Sequence, residues 1–381
     1  MRSPLPPRSG AAARLGALIT LILVVTACGA GPQAGTGRGA GINSRAAALV
    51  EQRQDNAEAA RAVAALQRRY DAGGYRATRS WQSANALDAT IDYMRASGSP
   101  DFLADLNETF RAHRGRDNFL NGYYDDEGWW ALTWINAYDL TRYGAYLSQA
   151  KDIFADMTGG WNSTCGGGIW WGKARHYKNA IANELFLQVA VALHQRTPGD
   201  TGYAGWAQRE WAWFQGSGMI TGSHLVIDGL AACRPDLSSP TWTYNQGVLI
   251  GGLVALARMT GSRAPLATAQ RIAGAVMGSQ ALSPHGILRD PCEPLSCDED
   301  QPLFKGIFMK NLKLLADQVD QAGGVSYRHY LRRNALAVWS NDRRGDEFGL
   351  SWSGPFDSAS TAKQTSALDV LNTQVSARTV R

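Results

Sequence analysis

The chain has 381 residues, of which 45% are hydrophobic and 19% charged, and its formal net charge is +5. That is enough apolar material for one large core or two modest ones. The positive charge is spread without a basic tract, which argues against a nucleic-acid partner, and no apolar run after Ala27 reaches transmembrane length.

In chain order, Met1 to Arg14 carry three arginines and Leu15 to Ala27 form an apolar stretch too short for a permanent membrane span, the pattern of an export signal over residues 1–27. It ends in Val25-Thr26-Ala27-Cys28, which resembles a bacterial lipobox, so Cys28 is the expected lipid-attachment residue and residues 28–44 a flexible tether. Four cysteines then remain, Cys165, Cys233, Cys292 and Cys297, and an even number in an exported chain favours two disulfides. Three pairings are possible. The short interval from Cys292 to Cys297 reads as a self-closed loop, which leaves Cys165 for Cys233. Zinc is the competing reading, disfavoured by an oxidising compartment and the lack of a nearby histidine pair.

Residues 45–381 contain no internal linker, and helical periodicity dominates them. It predicts helices over Arg45–Arg69, Ser80–Ala96, Pro100–Arg114, Asp126–Arg142, Ala145–Met157 and Tyr177–Gln195. Six more are expected at Tyr203–Phe214, Thr241–Met259, Ala264–Gly278, Phe304–Gln321, Ser326–Trp339 and Asp357–Val375. Strand-like alternation is confined to pieces such as Gly168–Trp171 and His224–Ile227. Twelve helices joined alternately by short turns and long Gly-rich loops fit two concentric rings of six, an all-α (α/α)6 barrel. A helical solenoid is the alternative, and no short sequence period supports it. The long loops, Gly115–Asp125, Thr158–His176, Gly216–Pro240 and Gln280–Leu303, each end before a helix with unusual polar or aromatic residues. Gathered at one rim, they would build a cleft.

The helix expected from Asp126 is preceded by Tyr123-Tyr124-Asp125 and continues Glu127-Gly128-Trp129-Trp130. Glycosidic hydrolysis needs one carboxyl to attack or stabilise the anomeric carbon and another to protonate the leaving oxygen, held about 5 Å apart in a retaining site. Adjacent residues at a helix start can reach that separation. In isolation, N-capping is the better explanation of such a pair. The aromatic setting favours the sugar reading, because rings stack on the apolar faces of pyranoses.

Gly166-Gly167-Gly168-Ile169-Trp170-Trp171 couples a permissive backbone to two indoles, and Trp170 and Trp171 are read as either core or sugar platforms. Asn179 and Asn183 fall one turn apart on the next helix. Tyr244, Asn245 and Gln246 open another, where amides that donate and accept suit hydroxyl recognition. Lys305 begins a further one, read as touching substrate hydroxyls or pairing with Asp298, Glu299 or Asp300. Those three successive acids lack the spacing of a calcium loop and are read as a solvated turn. No metal-binding histidine pattern, nucleophile elbow or phosphate loop is present, so catalysis without cofactor or metal is expected.

Tyr124-Asp125-Asp126, Gly167-Gly168-Ile169-Trp170-Trp171, Lys178-Asn179-Ala180, Thr243-Tyr244-Asn245-Gln246-Gly247 and Phe304-Lys305-Gly306-Ile307-Phe308 together resemble glycoside hydrolase family 76 in order and spacing. The resemblance runs from about Ala46 to Leu371 and implies an (α/α)6 catalytic domain over residues 45–381. It further implies endo-acting cleavage of α-1,6-mannosidic bonds with retention, Asp125 being the nucleophile and Asp126 the acid/base. Trp129, Trp170, Trp171, Asn179, Tyr244, Asn245, Gln246 and Lys305 match positions that line or support the family's cleft. The expected enzyme is an exported, lipid-anchored monomer acting on α-1,6-linked mannan or lipoglycan at the outer face of a cell membrane. A transglycosylase using the same aspartates is the alternative, followed by a sugar-binding lipoprotein that needs neither.

Overall fold

The computed structural model describes residues 37–376 other than 294 and 320. The expected signal segment and Cys28 therefore lie outside the described residues. Among the described residues twelve α-helices carry the fold: α1 (Gly37–Gln67), α2 (Ser80–Ser97), α3 (Leu103–His113), α4 (Tyr124–Thr141), α5 (Gly144–Thr158) and α6 (Ala180–Gln195). The chain continues with α7 (Gly202–Gly216), α8 (Thr243–Thr260), α9 (Arg263–Gly278), α10 (Phe304–Gln318), α11 (Gln321–Asn341) and α12 (Thr361–Asn372).

The even-numbered helices are the inner ring. Each packs on the next even-numbered one, and α12 closes back onto α2. Their composition requires this: α6 reads Ala-Ile-Ala-Asn-Glu-Leu-Phe-Leu-Gln-Val-Ala-Val-Ala-Leu from Ala180 and buries nearly every side chain, and a helix apolar on all sides is stable only when surrounded. Close approach between inner helices is secured at Gly306, where a Cβ would stand 2.6 Å from the Ser366 Cα on α12. The odd-numbered helices form the outer layer, with α5 on α4, α7 on α6, α9 on α8 and α11 on α10. Between α3, α4 and α5, Trp130 and Trp134 stack at 5.8 Å, and the Phe110 ring meets Trp134 edge-on at 5.0 Å; such pairs add about 0.5–1.5 kcal/mol each beyond area burial. This is the expected (α/α)6 barrel.

Several boundaries differ from the sequence reading. Helix α1 begins at Gly37 rather than Arg45, inside the segment read as tether; the Ala46-Ala47-Ala48 run has high helix propensity, and no proline between Gly37 and Arg45 stops it. Helix α6 starts at Ala180 rather than Tyr177, because its first expected residues are taken into a sheet. After a short antiparallel pair, β1 (Tyr70–Asp71) and β2 (Gly74–Tyr75), strand β3 (Lys178–Asn179) pairs antiparallel with β4 (Gly229–Ala231), which pairs with β5 (Arg234–Pro235). Asn179 is the N-cap, its side chain accepting from the Ala182 amide at 3.3 Å. Helix α12 starts at Thr361 rather than Asp357, where the Ser360 hydroxyl caps it. Gly168–Trp171 and His224–Ile227 make only isolated bridges, Trp161 to Ile169 and Ile220 to Val226.

Candidate active site

The N-terminal ends of five inner helices converge on one cleft of about 530 Å³. Arg79 and Trp81 come from the start of α2, Asp125, Asp126 and Trp129 from α4, Asn179 from α6, Trp242 and Tyr244 from α8, and Phe304 from α10. Loops complete the walls with Tyr123, Trp171, Tyr177, Asp228, Asp298, Asp300 and Gln301. Helix N-termini carry partial positive charge and so favour anions in this space.

Tyr123, not an aspartate, is the N-cap of α4, and it makes no side-chain cap bond. Asp125 and Asp126 thus sit in the first turn with side chains turned to the cleft. The Trp171 indole N–H donates to Asp125 Oδ2 at 2.9 Å, and Asp125 Oδ1 has no hydrogen-bond partner. Asp126 Oδ2 accepts from the Asn121 amide at 2.6 Å. Burial raises both carboxyls, Asp125 to about 8 with the Asp126 charge as the next cause, and Asp126 to about 6. Because the Asp126 charge acts on Asp125, the two titrate as one unit, and at neutral pH the pair carries about one proton. The third acid of the turn, Glu127, is buried behind them in an ion pair with Lys173 at 2.7 Å; desolvation still pushes it up to about 8.

The other expected site residues divide into two groups. Trp129, Trp171, Asn179 and Tyr244 line the cleft. Trp129 stacks on Trp81, Tyr244 lies flat on Phe304 at 3.8 Å, and Trp171 packs against Tyr123 at 4.9 Å and remains 39% exposed. Trp170, Asn245, Gln246 and Lys305 do not line it. Trp170 faces away, with the Lys178 ammonium 4.9 Å from its ring. Asn245 is buried behind Asp228, and Gln246 is fully buried, clamping the Val226 amide and carbonyl at 2.8 and 2.7 Å. Lys305 is buried and pairs with Glu293 at 2.7 Å and the Leu350 carbonyl at 2.6 Å, not with Asp298, Glu299 or Asp300. Close approach at the glycine run is real, but the partner is Trp213: a Cβ on Gly168, at φ +77°, would stand 2.4 Å from that indole.

Both disulfides pair as expected, Cys165 with Cys233 and Cys292 with Cys297. The first joins the Gly-rich loop to the β4–β5 turn, and the second closes the loop that leads to Asp298 and Asp300.

Sequence reasoning missed Asp228 and Asp300. Asp228 is mostly buried, accepting from the Tyr177 hydroxyl at 2.9 Å; burial raises its carboxyl. Asp300 is no solvated turn: it accepts from Trp81 Nε1 and Gln82 Nε2, each at 3.1 Å, and pairs with Arg79 at 3.1 Å. A lone aspartate after a short apolar run carries no local signal, and the acidic triplet gave no sign that Asp300 alone of the three would be drawn out of solvent.

Paired carboxyls amid stacked aromatic rings, at the mouth of an (α/α)6 barrel, define a glycoside hydrolase. Residues 56–380 match the glycosyl hydrolase family 76 pattern, and the chain belongs to that family. It is 26% identical over 330 residues to mannan endo-1,6-alpha-mannosidase DCW1 of Candida albicans, covering 76% of this chain and 71% of that protein. The DCW1 enzyme of Saccharomyces cerevisiae is 29% identical over 322 residues, covering 76% and 70%. Among solved structures, an inactive variant of the Salegentibacter sp. HEL1_6 α-1,6-mannanase, with two consecutive aspartates changed to asparagine and α-1,6-mannotriose bound, superposes with a TM-score of 0.77. It is 22% identical, over 84% of this chain and 99% of that one. The Lin0763 protein of Listeria innocua has a TM-score of 0.73 at 23% identity, over 84% and 96%.

Proposed function

We propose that the protein is an endo-acting α-1,6-mannanase that works with retention of configuration. Asp125 attacks the anomeric carbon as the glycosidic C–O bond breaks, while Asp126 gives its proton to the departing oxygen. Asp126, now a carboxylate, then takes a proton from water, which displaces Asp125 from the sugar. The observation that carries this reading is the adjacent pair itself: one carboxyl is gripped on Oδ2 by an indole N–H with Oδ1 unpaired, and its neighbour faces the same cleft.

The names of the relatives support the linkage, and the loss of activity in the Salegentibacter enzyme on changing two consecutive aspartates supports the use of such a pair. A pair holding one proton supplies one carboxylate and one acid. Burial raises Asp125 further than Asp126, so before substrate binds the proton rests on Asp125 and must pass to Asp126 for the reaction; the Trp171 N–H bond is the contact that favours charge on Asp125. The same second step with a sugar hydroxyl in place of water is transglycosylation. The export signal and Cys28 support an outer-face, lipid-anchored enzyme whose substrates are α-1,6-mannose backbones of envelope mannan or lipoglycan. Incubation with a defined α-1,6-mannan and analysis of product size tests the activity: shortening into oligosaccharides supports it, and an unchanged polymer overturns it.

A further inference from the structure

Lys178 is 2% exposed and does not reach the cleft. Its Nζ donates to the Gly167, Thr164 and Gly168 carbonyls at 2.6, 2.7 and 2.9 Å and to Asn162 Oδ1 at 2.9 Å, with the Asn162 carbonyl at 3.4 Å. No ion pair to it is formed among the described residues. Its acidic neighbour, Glu210 on α7, is fully buried with neither oxygen hydrogen-bonded, and desolvation holds that carboxyl well above its usual range.

Burying an ammonium without a counter-ion is costly, so the oxygens around it matter. Cys165, Gly166, Gly167 and Gly168 all have positive φ, at 58°, 77°, 148° and 77°. That run turns the Gly167 and Gly168 carbonyls inward beside that of Thr164, where they repel one another unless a cation sits among them, while the Cys165 carbonyl accepts from Trp213 Nε1 at 2.9 Å. The loop is thus folded around the lysine.

Residues 169–171, immediately after the loop, connect it to the reacting carboxyl. Asn183 clamps the Ile169 amide and carbonyl at 2.7 and 3.0 Å. The Trp171 amide donates to the Tyr177 carbonyl at 2.7 Å, beside Lys178 in the chain, and the Trp171 carbonyl accepts from the Tyr124 amide at 2.9 Å. Trp171 Nε1 then reaches Asp125 Oδ2.

We propose that Lys178 is a positioning residue for the reaction: its ammonium holds the Thr164, Gly167 and Gly168 carbonyls and Asn162 convergent, and so keeps the Ile169–Trp171 segment placed with the Trp171 indole N–H aimed at Asp125. This rests on Asp125 being the nucleophile. Lys178→Met keeps the unbranched side chain to within one atom of its length and removes the cation. A slight misplacement of a reacting group costs about a hundredfold in rate, so kcat on α-1,6-mannan falls by that order while KM shifts by less than about threefold. Lys178→Arg restores part of the loss. Trp171→Phe, which keeps a ring and loses the donor, gives a loss of similar size, and the double variant is no slower than the worse single. Parental kcat in Lys178→Met, or losses that multiply in the double variant, overturns the proposal. If Lys178→Met does not fold by circular dichroism, Asn162→Ala removes one oxygen of the cage, and its smaller kcat loss must likewise fail to add to that of Trp171→Phe. Asp125→Asn measured in parallel separates the two readings. An inactive Asp125→Asn with a fully active Lys178→Met removes the positioning role alone, and an active Asp125→Asn removes both.

Discussion

Lys305 and Glu293 form an ion pair at 2.7 Å with side chains only 1% and 6% exposed. It joins the first turn of α10 to the disulfide-closed loop that delivers Asp298 and Asp300 to the cleft. Asp290 fixes the same loop to α8, accepting from the Thr243 amide and hydroxyl at 2.9 and 2.8 Å. Removing one partner of such a pair leaves a buried charge uncompensated, at a cost of about 3–5 kcal/mol. Lys305→Met is therefore expected to lower the melting temperature markedly. A parental melting curve would refute the anchoring role.

Activity should follow a bell-shaped pH profile. The double displacement needs the Asp125–Asp126 pair to hold one proton, so kcat/KM on α-1,6-mannan rises through about 6 and falls through about 8. Initial rates from pH 4 to 10 read this directly. A profile flat across that range would separate catalysis from the pair.

Stability should decline as pH rises from the ordinary carboxyl range to about 8. Asp369 lies in the barrel interior near Asp88, Asp92 and Lys310, and Lys310 pairs with Asp88. Desolvation pushes Asp369 up to about 8, and neither of its oxygens has a hydrogen bond. A folded-state value above the unfolded one contributes stability that is complete below the ordinary carboxyl range and is lost as pH rises through the folded value. Asp369→Asn cannot ionise, so its urea midpoint should fall less between pH 5 and pH 9 than the parent's. Identical slopes for the two would contradict the assignment.

Membrane attachment should depend on Cys28. Cys28→Ser is expected to move the protein from the membrane to the soluble fraction with its circular dichroism unchanged. Equal membrane retention in variant and parent would dismiss lipidation.

The twelve helices were legible because inner helices such as α6 are apolar on every side and outer ones on one side, a pattern that local sequence records directly. That the aspartate pair faces a cleft was legible because aromatic residues surround it in the chain itself. Where a motif residue points was not. Tyr244 and Asn245 are neighbours, yet one lines the cleft and the other lies behind Asp228, a difference set by the rotation of α8 against α6 and α10. Lys305 reads as a cation at a helix start, and only tertiary packing sets Glu293 and Trp352 beside it. Strands β3 to β5 escaped notice because each is two or three residues long, too short for an alternating pattern to register.

The most direct test of the account is turnover by Asp125→Asn on α-1,6-mannan, with folding confirmed by circular dichroism. The exchange keeps the shape and removes the attacking carboxylate, so no glycosyl-enzyme forms and kcat should fall by several orders of magnitude. Cleavage at near-parental rate by a folded Asp125→Asn enzyme would contradict the claim that this carboxylate attacks the sugar.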